Sequence, residues 1–179
     1  MCRRRTLVSH STADIRRQAA RLLQSAGVAR EPVSLRDVVS ALNLEVVQTA
    51  GEPFACEAAL EQVGDGHQIV LRGATSEQRR RFTIAHEIGH FVLHPHRLAP
   101  QRGGGPGNTA WQQQEREADQ FAAELLMPED LVRESVVLHG PDVVRLADRF
   151  GVSRPAMQAR LRWLGLGGHQ SGFSPARAY

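Results

Sequence analysis

The stretch from Phe82 to His96, FTIAHEIGHFVLHPH, carries four histidines and one glutamate on a segment whose other residues are all uncharged. Helical periodicity runs through it from about Ser76 to Leu93 and stops before Pro95. A helix with so few charges belongs in a core. Yet a buried carboxylate without a partner is expensive, so the rest of the chain must fold to meet Glu87 and the imidazoles. Gly89 makes the same demand. Glycine costs about 1 kcal/mol of helix propensity, which is sensible where another backbone packs close.

His86, Glu87 and His90 spell HExxH. Residues four apart lie one turn apart on one helix face, so both imidazoles can reach a single ion. Zinc takes two neutral histidine nitrogens at about 2.0–2.1 Å and a third protein donor, leaving a position for water. Glu87, beside the first histidine, can take that water's proton. A core helix with internally satisfied histidines does not account for two imidazoles and a carboxylate in so apolar a setting. One ion per chain is expected, with manganese or another divalent metal as an alternative occupant.

Two places offer the third donor. His96 lies ten residues after His86, but the pattern HExxHxxGxxH needs a glycine where Leu93 stands. Glu115 opens the run EREAD, with Asp119 one turn later on the same face. A glutamate donor followed by such an aspartate suits sites in which the aspartate orients a metal-bound histidine. Glu115 is therefore the expected third ligand and Asp119 its supporting residue. At 100° per residue, Glu117 stands about 160° from Asp119 and is expected to be solvated. A swap of roles between Glu115 and Glu117 stays open. The oxyanion-stabilising group is not legible: Tyr179 is the sole tyrosine, and His94, His96 and His139 are the weak remaining candidates.

Elsewhere the chain alternates between helical and extended patterns. STADIRRQAARLLQSAG and SLRDVVSALN, the latter capped by Ser34, read as helices. LEVVQTA and FACEAALEQV read as strands, and GDG at 64–66 turns into HQIVLRG as a hairpin. WQQQEREADQFAAELLMP is helical, and Pro128 either closes it or opens another helix. PDVVRLADRFG and SRPAMQARLRWLG complete the set. Residues 97–110, rich in Gly and Pro, form a loop between the ligand-bearing helices and are a candidate lid. The fold class is α+β, a small antiparallel sheet packed on helices that carry HExxH and the third-ligand glutamate. The expected divisions are a flexible N-terminus (1–11), a metallopeptidase-like domain (12–130), a helix-turn-helix-like segment (131–166) and a flexible tail (167–179).

The 179 residues suffice for one domain with a real core. Cys2 and Cys56 cannot frame the fold by disulfides. The opening MCRRRTLVSHSTADIRR has no apolar h-region, and the apolar runs are too short to cross a bilayer. A soluble, cytoplasmic protein without membrane contact is expected. All 22 basic residues are arginine. Residues 1–30 carry a net +6 and residues 141–179 a net +4, around a middle of −7. Basic ends suit nucleic acid or an acidic partner, and equally suit solvated helix faces.

RRFTIAHEIGHFVLH, then EREADQFAAELLMP, then LADRFGVSRPAMQARLRWLGL resemble, in that order, the ImmA/IrrE family of regulatory metallopeptidases. The likeness runs from about Arg79 to Leu166. It implies zinc held by His86, His90 and Glu115, with Glu87 as general base. The family's usual asparagine after EREA is Asp119 here. It further implies a metalloendopeptidase whose protein substrate is a helix-turn-helix repressor, with derepression of stress or mobile-element genes.

The last two helices read independently as a helix-turn-helix, with a Gly151-Val152 turn and Ser153 as the second cap. Arg154, Arg160 and Arg162 are its candidate DNA or partner contacts. The rival from another class is a DNA-binding or scaffold regulator with a structural metal and no proteolysis. Such a site closes with four protein donors, where a catalytic one keeps an open position.

Overall fold

The computed structural model describes residues 9–49, 58–73, 75–95 and 109–167. The sequence's candidate ligand His96, most of the proposed lid, both cysteines, Tyr179 and nearly all of the two terminal segments lie outside them. The described chain runs α1 (Thr12–Ser25), α2 (Leu35–Ala41), β1 (Leu44–Thr49), β2 (Ala58–Val63), β3 (Gly66–Arg72), α3 (Glu77–Leu93), α4 (Thr109–Leu126), α5 (Glu129–His139), α6 (Val143–Phe150) and α7 (Arg154–Trp163). This is an α+β fold. Side-chain caps fix most of the helix starts. Ser11 and Asp14 form a capping box on α1, and Ser34, Ser76, Asp142 and Ser153 cap α2, α3, α6 and α7. Pro128 does both things open to it, following the end of α4 and standing at the N-cap of α5.

The sheet corrects one expectation. It is mixed, with order β1-β3-β2. β2 and β3 form the antiparallel hairpin, closing at Val63 opposite Gly66, whereas β1 pairs with β3 in parallel, Leu44 opposite His67 through Thr49 opposite Arg72. The hairpin inserts β3, not β2, next to β1, and two successive reversals leave β1 and β3 pointing the same way. β3 is thus the central strand. That is why Ile69, Val70 and Leu71 are consecutive apolar residues, all buried, where an edge strand would alternate.

One apolar cluster joins the elements. It takes Ile15 and Leu22 from α1, Val38 from α2, Ile69 and Leu71 from β3, and Ile84 and Ile88 from α3. Phe121 and Leu125 of α4, Leu146 and Phe150 of α6, and Met157 and Leu161 of α7 complete its spread. Its tightest seam is the α3–α4 contact at Gly89. A methyl group there would stand 3.1 Å from both the Cα and the carbonyl oxygen of Ala118, and 3.2 Å from Cβ of Phe121. The glycine is needed for backbone approach, as its propensity cost suggested.

Arg81 ties α3 to the turn between α6 and α7. Its Nε donates to the Gly151 carbonyl (3.2 Å) and its Nη2 to that of Val33 (2.9 Å). Gly151 caps α6 with φ 63°, the left-handed conformation that glycine adopts without strain. Arg160 corrects a second expectation. It does not face outward but is buried, donating Nη1 and Nη2 to both oxygens of Glu124 (2.9 and 2.6 Å) and Nε to the Met127 carbonyl (2.9 Å). Its position explains this, because residue 160 shares the inward face of α7 with Met157, Leu161 and Leu164. Arg154 and Arg162 are exposed.

Two stability measurements follow from these packings. Removing one member of a buried ion pair strands the other charge, so Arg160→Ala should lose about 3–5 kcal/mol in urea unfolding. Arg162→Ala should stay within about 0.5 kcal/mol of the parent. Gly89→Ala gains about 1 kcal/mol of helix propensity, yet it must push α4 backbone aside. A lowered melting temperature is the expected net result, and a raised one would show that the seam is not close-packed.

Candidate metal centre

His86 and His90 stand one turn apart on α3, and α4 brings Glu115 across from them. The Nε2 atoms of the two histidines are 3.0 Å apart, with the rings near perpendicular at 82°. Glu115 reaches both: Oε2 lies 3.4 Å from His86 Nε2, and Oε1 lies 3.3 Å from His90 Nε2. Donors at the corners of a tetrahedron of radius about 2.0–2.1 Å lie about 3.3 Å apart. The three observed separations are of that size, the carboxylate meeting each imidazole through a different oxygen, and the two-imidazole, one-carboxylate donor set is one that zinc accepts. These residues therefore fit a metal of that kind.

Behind His86, Asp119 Oδ1 is 2.8 Å from Nδ1. With the proton on Nδ1, the imidazole is neutral and its Nε2 lone pair faces the cluster. Burial disfavours the charged ring, but the hydrogen bonds to Asp119 and Glu115 and the charges of Asp119 and Glu87 raise the His86 pKa to about 9. Glu87 is half-buried beside His86.

The residues read from the sequence thus separate into those the fold gathers and those it does not. His86, His90, Glu115 and Asp119 converge, and Glu87 adjoins them. Glu117 corrects the sequence reading. It is 2 % exposed rather than solvated, because the segment before α1 and the end of α3 cover its side of α4. Its Oε1 accepts from Ser9 Oγ (3.1 Å), the His10 backbone N–H (3.1 Å) and Gln113 Nε2 (2.9 Å). A signal for this existed: Glu117 lies one turn before Phe121 and two turns before Leu125, on the buried stripe of α4. His94 is also buried, and burial lowers its pKa. It faces Glu117, while His139 stands at the far end of α5.

Known proteins can now be set beside this geometry. Residues 38–162 match the family model Peptidase_M78, described as the IrrE N-terminal-like domain. The chain belongs to this IrrE-like peptidase family. The resemblance read from HExxH and EREAD is therefore correct, and the matched span holds all five residues of the candidate centre. Among solved structures, the fold is similar to that of a chain titled "Mycobacterium tuberculosis transcriptional regulator", with a TM-score of 0.60 and 20% identity. The likeness covers 83% of this chain and 46% of that one, so this chain spans less than half of its neighbour. No curated protein matches the sequence. Among the described residues no helix is long and apolar enough to cross a membrane.

If the triangle is the metal's seat, His86→Ala, His90→Ala and Glu115→Ala should each lower the zinc content found by elemental analysis. Asp119→Ala should weaken zinc affinity by about 10–100-fold without abolishing it. Full occupancy in Glu115→Ala, with loss in His96→Ala, would move the third donor to His96.

Proposed function

We propose that this chain is a zinc-dependent endopeptidase that cleaves a regulatory protein, with a helix-turn-helix transcriptional repressor as the substrate class. Cleavage would derepress stress or mobile-element genes. The observation that carries the reading is a group of three donors, His86, His90 and Glu115, with Asp119 orienting the first. Bound zinc supplies a Lewis acid and a water of lowered pKa. Every other task falls to the protein. Asp119 holds the His86 proton on Nδ1. Glu87 is the general base, its carboxylate taking the proton of the attacking water and passing it to the leaving nitrogen.

Two surfaces near the centre suit a peptide. Among the described residues β2 is an edge strand, packed against α3, and edge strands offer backbone pairing to an extended segment. A groove of about 500 Å³ has an apolar wall that includes Phe82, Met127 and Trp163, with Asp119, Arg116 and Glu124 among the charged residues that also line it. Through Asp119 it adjoins the centre, and its apolar wall fits a side chain near the scissile bond.

A DNA-binding or scaffold regulator with a structural metal is the rival. Arg154 and Arg162, exposed on α7, are the residues it would use, and the neighbour titled a transcriptional regulator is compatible with either reading. The number of side chains on the bound metal separates the two, four for the rival and three for a peptidase.

Glu87→Gln fills the same space without accepting a proton. It should keep the metal while cleavage of the cognate repressor, followed by gel, falls by about 10²-fold or more. Undiminished cleavage would remove Glu87 from the role of base.

A further inference from the structure

A second cluster lies where the segment before α1 meets the end of α3 and the middle of α4. There one ring nitrogen each of His10 and His94 and a carboxylate oxygen of Glu117 lie within 4.8 Å of one another. His94 continues the histidine stripe of α3, its ring 5.5 Å from that of His90 and 5.9 Å from that of His10. We propose that His10, His94 and Glu117 form a second divalent-metal site, of the zinc class, separate from the His86–His90–Glu115 centre. It stands independently of the peptidase reading.

Glu117 is the most deeply buried of the three. Its Oε1 accepts three hydrogen bonds, but Oε2 is buried and accepts none. Among the described residues the nearest potential cation to Oε2 is His94 Nε2, 3.7 Å away and beyond hydrogen-bond distance. A carboxylate oxygen with no donor in so dry a place costs free energy that a bound cation would offset. Gln113, Ser9 and the His10 main chain supply no charge.

The two rings have the arrangement that ligating histidines show. His10 Nε2 is 3.0 Å from the Leu93 carbonyl, and His94 Nε2 is 3.2 Å from that of Gln114. A neutral ring held through Nε2 by a carbonyl keeps its lone pair on Nδ1, so Nδ1 is the ligand atom of each ring, and His94 Nε2, which stands 3.7 Å from Glu117 Oε2, is the donor. Imidazole and carboxylate together select zinc or a similar borderline ion over calcium or magnesium. The cluster also has a structural consequence. His10 comes from ahead of α1, so an ion here would fasten the start of the described chain onto α3 and α4.

The test is a zinc titration of the full chain. The protein is stripped with a chelator, incubated with rising zinc chloride, desalted, and assayed for metal by elemental analysis, with circular dichroism reporting folding. The parent should retain about two equivalents, and His86→Ala and His10→Ala about one each, since either change leaves one three-donor group. His10→Ala keeps the main-chain N–H that binds Glu117, and Glu117→Gln preserves shape as a second variant. A single equivalent in the parent, lost in His86→Ala and kept in both His10→Ala and Glu117→Gln, overturns the second site and leaves the first intact. A single equivalent lost in His10→Ala and kept in His86→Ala supports the second site and overturns the first.

Discussion

The close approach of α3 and α4 at Gly89 and Ala118 is the contact on which the candidate centre rests. HExxH supplies only two donors from one helix, and a third must arrive from elsewhere at the length of a coordination edge. A carboxylate on a short glutamate stem reaches the two imidazoles only if the backbones nearly touch. The absent Cβ at Gly89 permits this, and Phe121 and Ala122 on α4 pack the seam dry. Lateral displacement of either helix by the width of a methyl group would separate Glu115 from both histidines. The same seam places Asp119 one turn further on, where it meets the outer nitrogen of His86.

α4 illustrates how a helix can bury several acids without collapse. Glu115 and Asp119 face the histidines of α3, Glu117 faces the segment before α1, and Glu124 faces Arg160 on α7. The four carboxylates are met by three different elements, because burial withdraws water and leaves hydrogen bonding and opposite charge as the compensation. The ion pair to α7 makes the C-terminal helices part of the same packed body. Trp163 lies against that pair, with the guanidinium carbons of Arg16 and Arg160 at 5.0 and 4.9 Å from its ring. The segment read as helix-turn-helix is therefore anchored to the core through Arg160, and only its outer face, with Arg154 and Arg162, is open to a partner.

Features set by neighbours along the chain were legible from the sequence alone. Caps at Ser34 and Ser153, the Gly64–Asp65 hairpin turn, the helix over HExxH and the pairing of Glu115 with Asp119 on one face all follow from spacings of two to four residues. Those spacings are properties of the helix and strand themselves. The gathering of His86, His90, Glu115 and Asp119 was foreseeable because each helix presented its polar groups at one-turn intervals. What the tertiary structure alone decided was which surface covers which face. Spacing could not say that β3 would enter between β1 and β2, since strand order depends on contacts far apart in sequence. Nor could it say that residues before α1 would close over Glu117, or that Glu124 would draw Arg160 inward. A charged side chain reads as solvated until an opposing element, brought by the rest of the fold, takes the place of water.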